Sequence, residues 1–71
     1  MIIVNSQKYE YSDGLTIKDM IEKYKEYDET MKISKDLMVV LNNVAVKVED
    51  IEKTPVKDGD AIVLLHSIAG G

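Results

Sequence analysis

Residues 60–66 read DAIVLLH, follow an Asp-Gly turn signal, and form the clearest strand in the 71-residue chain. Successive side chains of a strand point to opposite faces of the sheet, so Ile62 and Leu64 share one face. Val63 and Leu65 share the other face. A strand that is apolar on both faces is typical of the middle of a sheet, and we therefore expect this segment to be central.

A second apolar segment, Leu37–Leu41, predicts another strand covered on both faces. The Asn-Asn pair that follows suits a tight turn because asparagine tolerates a left-handed backbone. Valines alternate over residues 44–48, which completes a hairpin. Residues 49–54 are acidic and irregular, with Ile51 as the expected inward-facing anchor. Pro55 restricts the residue before it and discourages a helix there.

The N-terminal half predicts a hairpin followed by a helix. Residues 1–5 are apolar and β-branched and residues 8–11 alternate, which indicates two strands joined by a polar turn. Thr16 is the expected helix N-cap, with Asp19 as its capping-box partner. Apolar residues then recur at spacings of three and four, which predicts a helix over residues 17–27.

The predicted element order is β-β-α-β-β-β, which indicates the α+β class. The first and last strands are the most apolar and should lie in the middle of the sheet. A β-grasp, with one main helix packed across a mixed five-stranded sheet, is the compact fold that satisfies this order. We expect residues 1–66 to form this domain and residues 67–71 to be a flexible tail.

One helix covers only one face of a sheet, so apolar side chains on the other face would form an exposed patch. Its members would be Val63, Leu65, Met38 and Val40. An exposed apolar patch on a small acidic protein is usually a docking surface. The alternative is that residues 27–36, which carry no clear pattern, fold back and cover it.

The composition excludes several classes of function. One domain of this length buries only about 60% of its unfolded surface, so a deep enclosed active site is not expected. The chain has no cysteine, which removes disulfides, thiolate nucleophiles and cysteine zinc sites. His66 is the single imidazole and has no partners at catalytic spacing, and the acidic clusters do not fit a calcium loop. We therefore predict neither a catalytic site nor a metal site.

The charge and the hydropathy pattern indicate where the protein works. Thirteen acidic against nine basic residues give a net charge of −4, which argues against nucleic acid and against anionic membranes as partners. The longest apolar runs are far shorter than the roughly 20 residues of a transmembrane helix. The first ten residues lack the pattern of a signal peptide. The cytoplasm is the expected compartment.

The sequence ends on Ala69-Gly70-Gly71. Glycine has no Cβ, so such a tail can adopt any backbone conformation and thread a narrow channel. The α-carboxylate of Gly71 would be its reactive group. A carboxylate is a poor electrophile, but its adenylate can be attacked by sulfide, a thiol or an amine. On this hypothesis other proteins bind the domain and perform the chemistry on its C-terminal carboxylate.

Residues 58–71, DGDAIVLLHSIAGG, resemble the C-terminal signature of the ThiS/MoaD-type sulfur carrier family, and of ThiS in thiamine biosynthesis most of all. Leu41-Asn42-Asn43 and the valine strand after it are similar to the central hairpin of that family. The length suits ThiS better than MoaD, the small subunit of molybdopterin synthase. The MoaD family often has prolines just before its Gly-Gly, whereas this chain has none after Pro55. Ile51 stands where many ThiS proteins have a tryptophan.

The resemblance implies a ubiquitin-like β-grasp and a defined set of partners. An E1-like adenylating enzyme of the ThiF/MoeB type would activate the Gly71 carboxylate with ATP and Mg²⁺. A desulfurase relay would convert it to a thiocarboxylate, and a thiazole synthase of the ThiG type would take the sulfur. Gly70 would give access, and Ile68 and Ala69 would pack along the enzyme's channel. No cofactor would be bound permanently.

Three other functions remain open from the sequence. The same tail would serve a ubiquitin-like modifier that forms isopeptide bonds through Gly71. The domain could also be a non-covalent interaction module with incidental glycines, and an enzyme in its own right is the most distant reading. For a sulfur carrier, the acceptor pathway could be that of thiamine, molybdopterin, cysteine or a tungsten cofactor.

Overall fold

A computed structural model describes residues 1–66, which form a five-stranded sheet with one α-helix packed across it. The strands are β1 (Ile2–Val4), β2 (Gln7–Tyr9), β3 (Leu37–Leu41), β4 (Val44–Val46) and β5 (Ala61–His66). The helix, α1, spans Ile17–Lys25, and a single turn of 3₁₀ helix spans Val48–Asp50.

The strands lie in the order β2-β1-β5-β3-β4, so β5 is the central strand of the sheet. β1 pairs with β5 in parallel, whereas the other three pairings are antiparallel. The mixed sheet and the central place of the last strand confirm the β-grasp prediction. The physical reason is burial, because Ile2 and Val4 of β1 and Ile62 and Leu64 of β5 are almost fully enclosed under the helix.

The helix begins as the sequence predicts. Thr16 and Asp19 form a reciprocal capping box, in which the Asp19 N–H donates to the Thr16 hydroxyl at 3.3 Å and the Thr16 N–H donates to the Asp19 carboxylate at 2.9 Å. Two further N–H groups of the first turn donate to the segment before β5, from Ile17 to the Thr54 carbonyl at 3.0 Å and from Lys18 to the Ile51 carbonyl at 3.2 Å. These bonds fix the helix against that segment, and Ile51 is buried as expected.

The helix ends two residues earlier than the predicted residue 27. Its apolar stripe is buried in the core and consists of Ile17, Met20, Ile21 and Tyr24. Beyond Lys25 the chain turns, because the N–H groups of Tyr27 and Asp28 both donate to the Tyr24 carbonyl at 2.9 Å. Tyr27 is 65% exposed, so no burial favours another helical turn.

Both hairpins close with two-residue turns whose central residues have positive φ. The angles are 47° and 76° at Asn5 and Ser6, and 49° and 71° at Asn42 and Asn43. Positive φ at both positions matches the right-handed twist of paired strands. The second strand therefore covers Gln7–Tyr9 instead of residues 8–11, and the fourth strand ends at Val46, two residues earlier than the valine alternation predicts.

Candidate functional site

Several apolar side chains lie on the face of the sheet that α1 does not cover. The structure exposes Met38 by 49%, Val63 by 41% and Leu65 by 49%. Met38 lies opposite Leu65, and Val40 lies opposite Val63, across the antiparallel pair of β3 and β5. All four predicted docking residues therefore share one face, on which Val40 is half-buried.

Ile3 extends this patch, although the sequence pattern did not predict that its side chain faces outward. Its side chain is 40% exposed, and it is the register partner of Ala61 in the parallel pair of β1 and β5. Ala61 and Val63 are two residues apart on one strand, so Ile3 lies on their face of the sheet. Its neighbours Ile2 and Val4 are buried, and an unbroken apolar run does not show which of its residues faces outward. We call Ile3, Met38, Val40, Val63 and Leu65 the open face.

The loop between α1 and β3 packs on the helix side and not on the open face. Met31 and Ile33 are half-buried against the core cluster under the helix. The loop ends in a turn, in which the Leu37 N–H donates to the Ser34 carbonyl at 3.1 Å, and β3 begins at Leu37. The alternative in which this loop covers the patch is therefore wrong, because Met31 and Ile33 pack on the helix side of the sheet.

Two asparagine side chains hold β5, the strand that carries Val63 and Leu65 of the open face. The Asn5 side chain makes two hydrogen bonds to the backbone of Leu64. Its oxygen accepts from the Leu64 N–H at 2.9 Å, and its nitrogen donates to the Leu64 carbonyl at 3.1 Å. On the other side the Asn42 side-chain oxygen accepts from the Ala61 N–H at 2.9 Å. Asp60 accepts from the Asn42 amide at 2.9 Å and thereby fixes that side chain.

Alanine in place of Asn5 should lower the free energy of unfolding by about 2 to 3 kcal/mol. Two hydrogen bonds to a partly buried strand are lost, and alanine is strained at a φ of 47°. Asn43→Ala is the matched control, because Asn43 is exposed and has a φ of 71°. This variant should lower the free energy of unfolding by only about 1 kcal/mol, because alanine is strained at a positive φ but no side-chain hydrogen bond is lost. Urea unfolding measures both variants, and equal losses would contradict the role of the Asn5 side chain.

His66, which the sequence predicts to be a surface residue, connects the end of β5 to the loop between α1 and β3. His66 is the last residue of β5 and the register partner of Leu37. Its Nε2 bonds to the backbone carbonyl oxygen of Thr30. Hydrogen bonds from the Thr30 side chain and backbone lower the pKa of the Asp28 carboxyl, and the nearby His66 imidazole adds to the effect.

Several kinds of site are missing from the part of the chain that the structure describes. Among residues 1–66 no three His, Asp or Glu side chains lie close enough together to hold a metal ion. The same residues enclose no pocket, and none of the polar or charged ones is buried. No helix among them has the length and the apolar character to cross a bilayer.

The tail residues predicted to carry the chemistry lie outside the described residues. These are Ile68, Ala69, Gly70 and Gly71. The structure does show what precedes them, because β5 runs through Leu65 on the open face and ends at His66. The exposed apolar side chains Val63 and Leu65 thus lie on the strand that directly precedes the tail in the sequence.

The strand order, the single crossing helix and the open sheet face define a ubiquitin-like β-grasp domain. The sequence matches the model of the ThiS family over residues 2–71, so the chain belongs to the ThiS family.

Solved structures agree with this assignment. The crystal structure of a thiamine biosynthesis protein (ThiS) from Geobacter metallireducens is 29% identical, with a TM-score of 0.68, and the similarity covers 99% of this chain and 97% of that one. An NMR structure of the same Geobacter metallireducens protein is 25% identical, with a TM-score of 0.62 and coverage of 99% of this chain and 86% of that one. No curated protein is similar enough to count as a match.

Proposed function

We propose that this protein is a sulfur carrier of thiamine biosynthesis whose sulfur is held as a thiocarboxylate on Gly71. The observation that carries the proposal is the match to the ThiS family, which runs through the C-terminal residues. The similarity to two solved structures of one thiamine biosynthesis protein, over nearly the whole chain, supports the same role. The protein is then a carrier on which other enzymes act.

The proposed chemistry begins with an E1-like adenylating enzyme of the ThiF type, which uses ATP and Mg²⁺. The Gly71 carboxylate attacks the α-phosphate of ATP, pyrophosphate leaves, and an acyl adenylate forms. The terminal sulfur of a persulfide on a desulfurase relay then attacks the acyl carbon and displaces AMP, which forms an acyl disulfide. A thiol of the relay cleaves this S–S bond, which leaves the thiocarboxylate on Gly71 and a disulfide on the relay. A thiazole synthase of the ThiG type would accept the sulfur. Gly70, Ala69 and Ile68 would pass through the channel of the activating enzyme, where the absence of a Cβ at Gly70 reduces steric conflict.

Intact-protein mass spectrometry tests this chemistry directly. After incubation with the activating enzyme, ATP, Mg²⁺ and a sulfur source, the mass should rise by the difference between a sulfur and an oxygen atom. Omitting ATP should leave the mass unchanged. An unchanged mass with every cognate activating enzyme would refute the sulfur-carrier proposal. Conjugates joined to lysine side chains of other proteins would instead support a ubiquitin-like modifier.

The open face supplies the docking surface in this proposal. It is apolar and largely exposed, and two of its residues, Val63 and Leu65, lie on β5, the strand that precedes the tail in the sequence. An enzyme that binds this face would hold the base of the tail next to its own active site. Apolar residues at the centre of an interface contribute most of the binding free energy once water is excluded.

Aspartate in place of Leu65 should raise the KM for the carrier in the adenylation assay by about tenfold or more, because a charge would be buried without a partner. Val44→Asp is the matched control. Val44 is 64% exposed and pairs with Leu41, whose side chain packs on the helix side. The control introduces the same charge into the same sheet but on the opposite face, and should leave KM unchanged. Equal KM values for the two variants would show that the open face is not the docking surface for the activating enzyme.

A further inference from the structure

A lysine borders the open face at one edge of the sheet. Lys47 directly follows β4, and its backbone is still extended, with φ −70° and ψ 143°. Val46 and Val48, on either side of it, both pack against the core cluster. Because side chains alternate along an extended chain, Lys47 points to the other side of the sheet, where it is exposed. It therefore lies on the same side as the open face.

The strand register places Lys47 in one row with two residues of the open face. Val46 is the partner of Val39 in the antiparallel pair of β4 and β3. One residue further along, Lys47 lies beside Met38, which is in turn the partner of Leu65. Neighbouring strands are about 4.8 Å apart, so the Cα atoms of Lys47 and Leu65 are separated by about 10 Å. The methylene stem of Lys47 can cover part of Met38 while its ammonium group stays in water.

The ammonium group of Lys47 has no ionic partner among residues 1–66. The ion pairs in this part of the chain join Met1 to Asp58, Lys18 to Glu52 and Lys25 to Glu22. Glu49 follows Lys47 in the 3₁₀ turn and Asp36 precedes β3, but neither carboxylate contacts the ammonium group. Its positive charge is therefore available to a partner that binds the open face.

The opposite edge of the sheet differs in charge. Lys8 of β2 is the register partner of Ile3 and borders the open face there. Tyr9 and Tyr11 pack against the core, so Glu10 between them points to the same side as Lys8. The two opposite charges offset each other at this edge. The positive charge beside the open face is therefore concentrated at the other edge, next to Met38 and Leu65.

We propose that Lys47 pairs with a carboxylate on the activating enzyme when the open face docks. The inference rests on the proposed function and adds the chemistry of the partner surface. That surface has an apolar centre for Leu65 and Met38, and an Asp or Glu side chain at its rim about 10 Å from the Leu65 contact. An apolar centre with a polar rim is the usual anatomy of a protein interface.

The overall charge of the protein makes this lysine important for docking. A net charge of −4 repels an acidic surface as a whole. Complementary charges at an interface favour one docked orientation, and like charges that face each other disfavour the rest. Lys47 therefore directs the acidic rim of the enzyme to the β4 edge of the open face.

Substitutions of Lys47 test the ion pair. Lys47→Glu should raise KM for the carrier in the adenylation assay by about tenfold or more with kcat nearly unchanged, because two carboxylates would then face each other. Lys47→Gln keeps part of the stem without the charge and should raise KM by about two- to fivefold. Lys47→Arg keeps the charge and should have a KM close to that of the wild type. Because Lys47 is exposed, the urea midpoints should stay at the wild-type value.

Lys23→Glu is the matched control. Lys23 is exposed on α1, which covers the other face of the sheet, so the same change in net charge is made away from the open face. Its KM should stay close to the wild-type value. Added salt should raise KM more for the wild type than for Lys47→Gln, since salt screens the attraction that only the wild type has.

Two results would overturn the proposal: equal KM values for Lys47→Glu and Lys23→Glu, or a wild-type KM for Lys47→Gln. The wild type is assayed alongside them. If it is never adenylated, the proposed function itself fails, whereas an active wild type with an unaffected Lys47→Glu refutes the ion pair alone.

Discussion

Deletion of Gly71 should lower the rate of adenylation by about a hundredfold or more, the largest functional effect that we expect from any single change. The truncated chain still ends in a carboxylate, on Gly70, but that group lies about 3.5 Å short of the position reached by the full chain. An activating enzyme that holds the domain by its open face cannot move the carboxylate across this gap. Intact-protein mass spectrometry and pyrophosphate release measure the loss.

The fold should not change in this variant, because the buried core cluster lies between Ile2 and Leu64. The urea midpoint of the truncated protein is therefore expected to equal that of the full chain. Addition of one alanine after Gly71 is the matched control, since it displaces the carboxylate by a similar distance in the other direction. It should be as poor a substrate as the truncation. Normal activation of either variant would refute the assignment of the reactive group to Gly71.

Alanine in place of Leu64 should cost about 2 to 5 kcal/mol of unfolding free energy, the largest effect on stability. Leu64 is fully buried in the central strand beneath the helix. At roughly 0.05–0.15 kcal/mol per residue, a domain of this length has a total stability of about 4 to 11 kcal/mol. The variant would therefore lose a large share of its stability, and the urea midpoint should fall accordingly.

The neighbouring leucine is a matched control for this effect. Leu65→Ala removes the same atoms one residue further along β5, but from the open face, where the side chain is half exposed. Its unfolding free energy should stay within about 0.5 kcal/mol of the wild type. In the adenylation assay Leu65→Ala should instead raise KM. Similar losses of stability in the two variants would contradict the assignment of the two faces of β5.

Much of the fold could be predicted from local patterns. Alternation and apolar runs located the five strands, because each face of a strand repeats every second residue. The capping box at Thr16 and Asp19 located the start of the helix, since it depends on two side chains three residues apart. The ends of the elements were not predicted as well, and the helix ends at Lys25 because Tyr27 is mostly exposed and outside the core.

The order of residues along the chain was enough to predict the class of fold and the family. It also showed that Val63 and Leu65 share one face of β5, whereas their exposure was established by the structure. Tertiary structure alone decided what covers each face of the sheet. Met31 and Ile33 pack on the helix side, Ile3 joins the open face, and His66 meets Thr30. These contacts join residues far apart in the sequence. Local sequence patterns do not predict them, because such contacts form only when the chain has folded and the core has room for only some of the apolar side chains.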